Sequence, residues 1–267
     1  MLNKIYEKIK NFILENYKFM IVLILLVFAF TYEFPYVVYT PGGIVNLEKR
    51  IDVEDKVEKK GSLNMSYVTL RKGNIPSILL SFVIPDWDLL KESEVTIDDE
   101  SVDDLLKMEK LYMASSIDNA TILAYKKANK EINITNNVNN VIYVDDLAKT
   151  DVQVYDQIIS VDKNNISDIN DLKKYISTKK ENDIVYFKVK SNGKEKTRKA
   201  QVIKINNELK VGIAFLTTYE YETIPEIKIK TKASESGSSG GLMLSLAIYN
   251  SLIDEDITKG KKVVGTG

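Results

Sequence analysis

An α+β protein hung from one N-terminal apolar helix is the fold class this 267-residue sequence predicts. Three observations predict it. Phe19 to Phe30 is an unbroken run of twelve apolar residues. From Val141 to Ile229, short alternating segments recur between turn residues, with one capped helix, Asp168 to Ser177, among them. Ser236-Gly237-Ser238-Ser239-Gly240-Gly241 then opens directly into the apolar, helix-forming stretch Leu242 to Tyr249. Strands that feed a helix in this way make an α+β arrangement. About 230 residues beyond the first helix suffice for one or two domains.

The apolar run comes first in the chain. As a helix it spans about 18 Å, short of the roughly 30 Å hydrocarbon layer. Extension from Tyr17 through Tyr32 lengthens it, with Lys18 snorkelling to the headgroups and Tyr17, Tyr32 and Tyr36 suited to the interfaces. A cleaved signal wants small residues after the run, whereas Thr31-Tyr32-Glu33-Phe34-Pro35 is bulky. A buried core helix is at odds with Lys4, Lys8, Lys10 and Lys18 ahead of it. Residues 1–35 therefore read as a cytoplasmic tail and transmembrane anchor. The lysine excess sets the N-terminus in the cytoplasm and the chain beyond Tyr36 outside the cell, as a single-pass protein of the cell membrane. Leu2, Ile5, Ile9, Phe12 and Ile13 recur at helical spacing. That spacing suits both an amphipathic stretch on the inner leaflet and a simple extension of the span.

Residues 36–135 read as an extracellular α+β segment. Tyr39-Thr40-Pro41-Gly42-Gly43 predicts a turn. Leu63 to Leu70 alternates as a strand does. Ile78 to Ile84 is a continuous apolar run closed by Pro85, and periodicity does not decide between buried strand and short helix. Asp103 to Asn129 reads as a helix, with Leu105, Met108, Tyr112, Ala120, Leu123, Ala124 and Ala128 at near-helical spacing. The acidic cluster Asp98-Asp99-Glu100 with Asp103-Asp104 lacks the glycine of an EF-hand loop. It reads as a solvated helix start favoured by the dipole.

From Val141 the pattern is strand, Asp-rich turn, strand, capped helix, strand and hairpin. The pieces are Val141–Val144, Val152–Asp162, Asp168–Ser177 with Leu172 and Ile176 on one face, Ile184–Lys190, and the turn Ser191-Asn192-Gly193-Lys194. This order resembles the second half of a PDZ domain, here bounded at 136–203. Asp156-Gln157-Ile158-Ile159-Ser160-Val161-Asp162 resembles that family's Gly-Asp-x-Ile-x-x-Val-Asp signature, with Tyr155 in place of the glycine. The resemblance implies capture of extended peptides by strand addition. The family's Gly-rich carboxylate-binding loop has no match around Asn136 to Asn140. An inert scaffold domain is the competing expectation.

Composition removes several classes of function. With no cysteine and no histidine, thiol catalysis and iron–sulfur ligation are excluded, a Ser-His-Asp triad is impossible, and a transition-metal site is not expected. A net charge of -1, from 37 basic and 38 acidic residues, gives no sign of nucleic-acid binding. No Walker-type loop is present, so ATP is not an expected partner, and no cofactor is implied.

Residues 204–267 carry the feature closest to chemistry. Strands Gln201–Ile205, Val211–Phe215 and Ile227–Lys230 lead to the Gly/Ser loop. A serine ahead of a helix sits where unpaired amides and the positive dipole end converge, a place that stabilises an oxyanion. A flexible loop with Ser239 as helix cap is the plainer alternative. Gly237-Ser238-Ser239-Gly240-Gly241-Leu242-Met243, Leu252, Ile257-Thr258-Lys259-Gly260 and Gly265-Thr266-Gly267 together resemble the proteolytic domain of Lon-type serine peptidases. The resemblance is narrower still to the membrane-anchored branch that carries a PDZ domain ahead of it. It implies that Ser239 is the nucleophile of a Ser-Lys dyad. Ser238 replaces the family's proline and Gly240 its alanine. The family's lysine lies after the Gly-Thr-Gly strand, and Lys259, Lys261 and Lys262 do not match its position, so no general base is assigned.

The expectation is thus a membrane-anchored, ATP-independent serine endopeptidase acting on exported or membrane-proximal peptides. The sequence supplies only the N-terminal part of the Lon-like domain, and turnover by this chain is not expected. The alternative is a non-catalytic, membrane-tethered PDZ adaptor.

Overall fold

A computed structural model describes residues 2–54, 56–96 and 101–266. Asp98-Asp99-Glu100 and Gly267 lie outside the described residues, as do the side chains of Leu2 and Ile9. Along the chain, α1 (Leu2–Thr31) is followed by β1 (Phe34–Asn46), β2 (Ile51–Val53) and β3 (Ser62–Gly73). Next come α2 (Ile75–Ser81), β4 (Asp88–Lys91), α3 (Glu92–Val95) and α4 (Val102–Lys127). The central stretch holds β5 (Glu131–Val144), β6 (Gln157–Val161), β7 (Asn164–Asn165), α5 (Ile169–Ile176), β8 (Ile184–Ser191) and β9 (Lys194–Gln201). The remainder is β10 (Ile203–Ile205), β11 (Glu208–Lys210), β12 (Ile213–Ile224), β13 (Ile227–Ile229), α6 (Gly241–Leu252) and β14 (Lys262–Gly265). These elements form two compact units, Met1–Gly43 with Tyr67–Leu105, and Ile44–Ser66 with Leu106–Gly267.

In the first unit, α1 is one uninterrupted helix, so the residues before Tyr17 belong to the same helix as the apolar run. Its Ile5–Thr31 portion, with a mean hydropathy of 2.1, is long and apolar enough to cross a membrane. The turn expected at Tyr39 to Gly43 does not form. Those residues continue β1, and Gly42 lies so close to Tyr67 that a Cβ there would fall 2.5 Å from its ring. The glycine therefore serves close approach, not reversal. β4 pairs antiparallel with β1 between Tyr36–Tyr39 and Asp88–Lys91, so Pro41 stands past the end of that ladder. The run from Ile78 resolves as helix α2, begun by the Asn74–Ser77 capping box. It does so because Pro76 is tolerated in the first helical turn.

The second unit contains two cores. One is built on the antiparallel sheet ordered β12-β5-β6-β8-β9. β8 alternates exposed and buried along its full length, which puts Val185, Phe187 and Val189 inside. Leu172 and Ile176 of α5 cover that face, and Asp168 caps the helix by accepting from the amides of Asn170 and Asp171. Burial of each such large side chain contributes about 1.5–3 kcal/mol. β5 starts ten residues earlier than the apolar pattern indicates (Glu131 against Val141). Its polar first half is held by a long ladder with β12 and by side-chain bonds such as Asn139 Nδ2 to Ile166 O at 2.7 Å. β6 starts later than expected, because Tyr155 takes the left-handed φ of 70° and breaks the strand before Asp156.

The other core joins α4 to α6. Ala120, Ala124 and Tyr125 pack with Met243, Leu244, Ala247 and Ile248, together with Leu63 of β3 and Ile51 and Val53 of β2. Residues from both sides of the central sheet thus share one interior. β13 closes on β2, and β14 runs parallel to β3 through Ser62–Met65. Small residues at 120, 124 and 247 let the two helices approach closely.

Candidate functional site

The loop ahead of α6 is held by contacts that no local pattern announces. Gly237 N–H donates to the backbone carbonyl of Glu109 at 3.0 Å, and Ser116 Oγ donates to Ser238 O at 3.0 Å. Glu109, Tyr112 and Ser116 lie on one stripe of α4. Burial pushes the Glu109 carboxyl up, and burial together with Glu109 raises the Tyr112 hydroxyl. Gly240 is the helix N-cap, with φ -83° and no side-chain cap bond. A Cβ on it would stand 2.5 Å from Met65 Sδ, so the methionine occupies the room an alanine methyl would need.

Ser239 sits in this loop exposed to solvent. Among the described residues its hydroxyl has no hydrogen-bond partner, so it does not cap α6. The hydroxyl stands beside the first turn of α6, whose leading amides point toward the loop without intrahelical acceptors. Lys259 and Lys261 lie in a solvated turn, as expected, whereas Lys262 opens β14 and pairs with Ser62. That turn is organised by Asp256, which accepts from Thr258 N–H and Oγ and from the amides of Gly61 and Gly260. The Thr258 hydroxyl, aided by those amides, holds the Asp256 carboxyl below its ordinary value.

A second feature is the outer edge of the central sheet. β12 is its terminal strand, and α5 packs beside it with Leu172 and Ile176 against Val211 and Phe215. Val211-Gly212-Ile213 leads into the strand, and Gly212 O accepts from Asp145 N–H at 2.8 Å. From Thr217 onward the edge is covered by α4. Ser115 Oγ donates to Thr217 O at 2.8 Å, and Tyr219 N–H donates to Asp118 Oδ2 at 2.8 Å. Burial raises the Asp118 carboxyl despite that amide. Before Thr217, among the described residues, no strand pairs with this edge.

Glu109, Ser116 and Met65 around the loop do not emerge from the sequence reading, and Val211–Phe215 reads there as a strand but not as a binding edge. The glycine that opens a strand after the hairpin of β10 and β11 is the one signal that would have pointed to the sheet edge.

A protein-family model of the PDZ domain matches residues 133–202. Among solved structures, the chain is similar to the PDZ domain of the SdrC-like protein from Listeria monocytogenes, at 22% identity and a TM-score of 0.29. That match covers 31% of this chain and 92% of the other. The PDZ domain of the SdrC-like protein from Listeria innocua gives 21% identity, a TM-score of 0.27, and coverage of 29% and 92%. No curated protein matches the chain. Residues 133–202, which carry β6, α5, β8 and β9, therefore hold a PDZ domain.

Proposed function

We propose that this chain is the peptide-capturing and nucleophile-bearing part of a membrane-anchored, ATP-independent Lon-type serine endopeptidase. α1 crosses the cell membrane with its N-terminus in the cytoplasm, and the chain beyond Tyr36 lies outside. The β12 edge between Ile213 and Leu216 takes an extended peptide as an added strand, with the amides after Val211 facing its end. Ser239 is the acylatable hydroxyl, and the leading amides of α6 receive the oxyanion that forms when it attacks a carbonyl.

The observation that carries this reading is the state of Ser239: exposed, unbonded, and fixed ahead of a helix by a loop anchored to α4. The family's base is a lysine, and no position among these residues matches it. Hydrogen exchange on the intact protein with an unfolded peptide tests capture. Slowed exchange confined to 211–216 and α5 is expected, and unchanged exchange there overturns it. Ser239→Ala is expected to leave that protection intact and abolish any peptide hydrolysis by the membrane-bound protein. Unimpaired hydrolysis removes Ser239 from the mechanism.

A second reading, a non-catalytic PDZ adaptor, is favoured by one fact. No amine or carboxylate is bonded to Ser239 among the described residues. Peptide protection without hydrolysis, identical in the wild type and Ser239→Ala, selects it.

A further inference from the structure

Directly beside the end of α1 lies an apolar tip that the fold leaves uncovered. Gly73 to Pro85 carries no charged side chain. No residue of α2 is buried, and Leu79 (60%), Phe82 (74%) and Val83 (77%) stand far out in solvent. Exposure of neighbouring large apolar side chains on this scale marks a surface meant to meet something apolar.

The position of the tip identifies what it meets. Asn74 Nδ2 donates to Phe30 O at 3.1 Å, which fixes the start of α2 at the last turn of α1, and the two helices pack together. Phe28 stacks on Tyr32, and Tyr32 meets Phe34 edge-on, with centroid separations of 4.8 Å at each step. Aromatic rings of this kind collect at the membrane–water boundary. Trp87, the only tryptophan in the chain, follows the tip and is flanked by Asp86 and Asp88. Charge resumes just before the apolar run, where Lys72 bridges Glu33 at 3.1 Å and Asp103 at 3.0 Å. The uninterrupted apolar core of α1, Phe19 to Phe30, covers only about 18 Å of a roughly 30 Å layer. The full span Ile5–Thr31 is long enough to cross by itself, and a second apolar surface joined to its outer end adds hydrophobic contact beside it.

We infer that α2 and the residues through Val83 form a membrane-dipping tip that enters the leaflet into which α1 emerges. The lipid acyl boundary is its occupant, and Trp87 sits at headgroup level. This rests on the reading of α1 as a membrane span.

The test uses the intact chain in phosphatidylcholine vesicles. Because the sequence has no cysteine, Phe82→Cys takes an environment-sensitive dye at a single position. Asn192→Cys, on the exposed β8–β9 turn, is the control. Nitroxide-bearing lipid is expected to quench the dye at position 82 roughly two-fold or more, and to leave position 192 unaffected. Trp87 in the unsubstituted chain is expected to shift to the blue and to be quenched as well, which guards against a misfolded variant. Alkaline carbonate extraction reports separately on α1. Retention in the pellet without quenching at either site overturns the inference alone. Release into the supernatant with quenching lost overturns the anchor reading and the inference together. A dye shift that grows with protein-to-lipid ratio, without lipid quenching, identifies a second copy as the occupant and also overturns it.

Discussion

The PDZ sheet and the serine loop belong to the same unit but are stabilised in different ways. In the sheet, alternation along β8 states directly which side chains are inside, and the core follows from a period of two. The serine loop has almost no buried side chain of its own. It is held by a backbone bond to Glu109 and by the Ser116 hydroxyl, both from more than a hundred residues earlier, and by Met65 filling the space above Gly240. One region is fixed by its own pattern, the other by its neighbours.

The difference is sharpest under substitution. Phe187→Ala, at a fully buried position, is expected to cost about 3–5 kcal/mol, read as a lowered urea midpoint. An undiminished midpoint would mean that the sheet does not depend on its alternating face. Gly240→Ala is expected to cost about 1 kcal/mol through the clash with Met65 Sδ. In a Met65→Val background the same change is expected to be neutral or favourable. A denaturation double-mutant cycle measures the coupling.

Protons separate the two regions by sign. Burial alone would raise the Asp162 carboxyl, but Tyr186 N–H, Tyr175 OH and Lys179 outweigh it and hold it below the ordinary 3.8. Its stabilising effect is complete above 3.8 and is lost as pH falls through the depressed folded value. Glu109 beside the serine loop is raised above 4.5 by burial, so its effect is complete below 4.5 and is lost as pH rises through the raised value. Asp162→Asn is expected to flatten the acid side of the stability profile and Glu109→Gln the other side. Matching responses in both variants would erase the distinction. The smallest expected effect is that of Ser239→Ala on stability, within about 0.5 kcal/mol, because the side chain is exposed and unbonded. A larger loss by thermal unfolding would show the hydroxyl to be structural.

The same division explains what was legible in the sequence. The apolar run of α1, the stripe of α4, the Asp168 cap with Leu172 and Ile176, and the hairpin at Asn192-Gly193 all follow from local periodicity or turn chemistry. The turn expected at Gly42-Gly43 did not form, because a neighbouring ring rather than a reversal requires those glycines. The polar half of β5 was invisible because its asparagines are satisfied by β12 and by the loop at Ile166, contacts that no alternation encodes. Ser239 stands out as a candidate through its loop sequence. Its surroundings do not, since Glu109 and Ser116 meet it only through the packing of α4 on α6.

Ser115 bonds the edge strand at Thr217 while its neighbour Ser116 bonds the loop at Ser238. With consecutive Cα atoms about 3.8 Å apart and one short side chain on each, those two carbonyls are no more than about 15 Å from each other. An extended chain covers that distance in about five residues. Under the reading proposed above, a bait seated on the strand would need only a short overhang to reach the Ser239 loop, which would set a molecular ruler for the shortest polypeptide able to occupy both places at once.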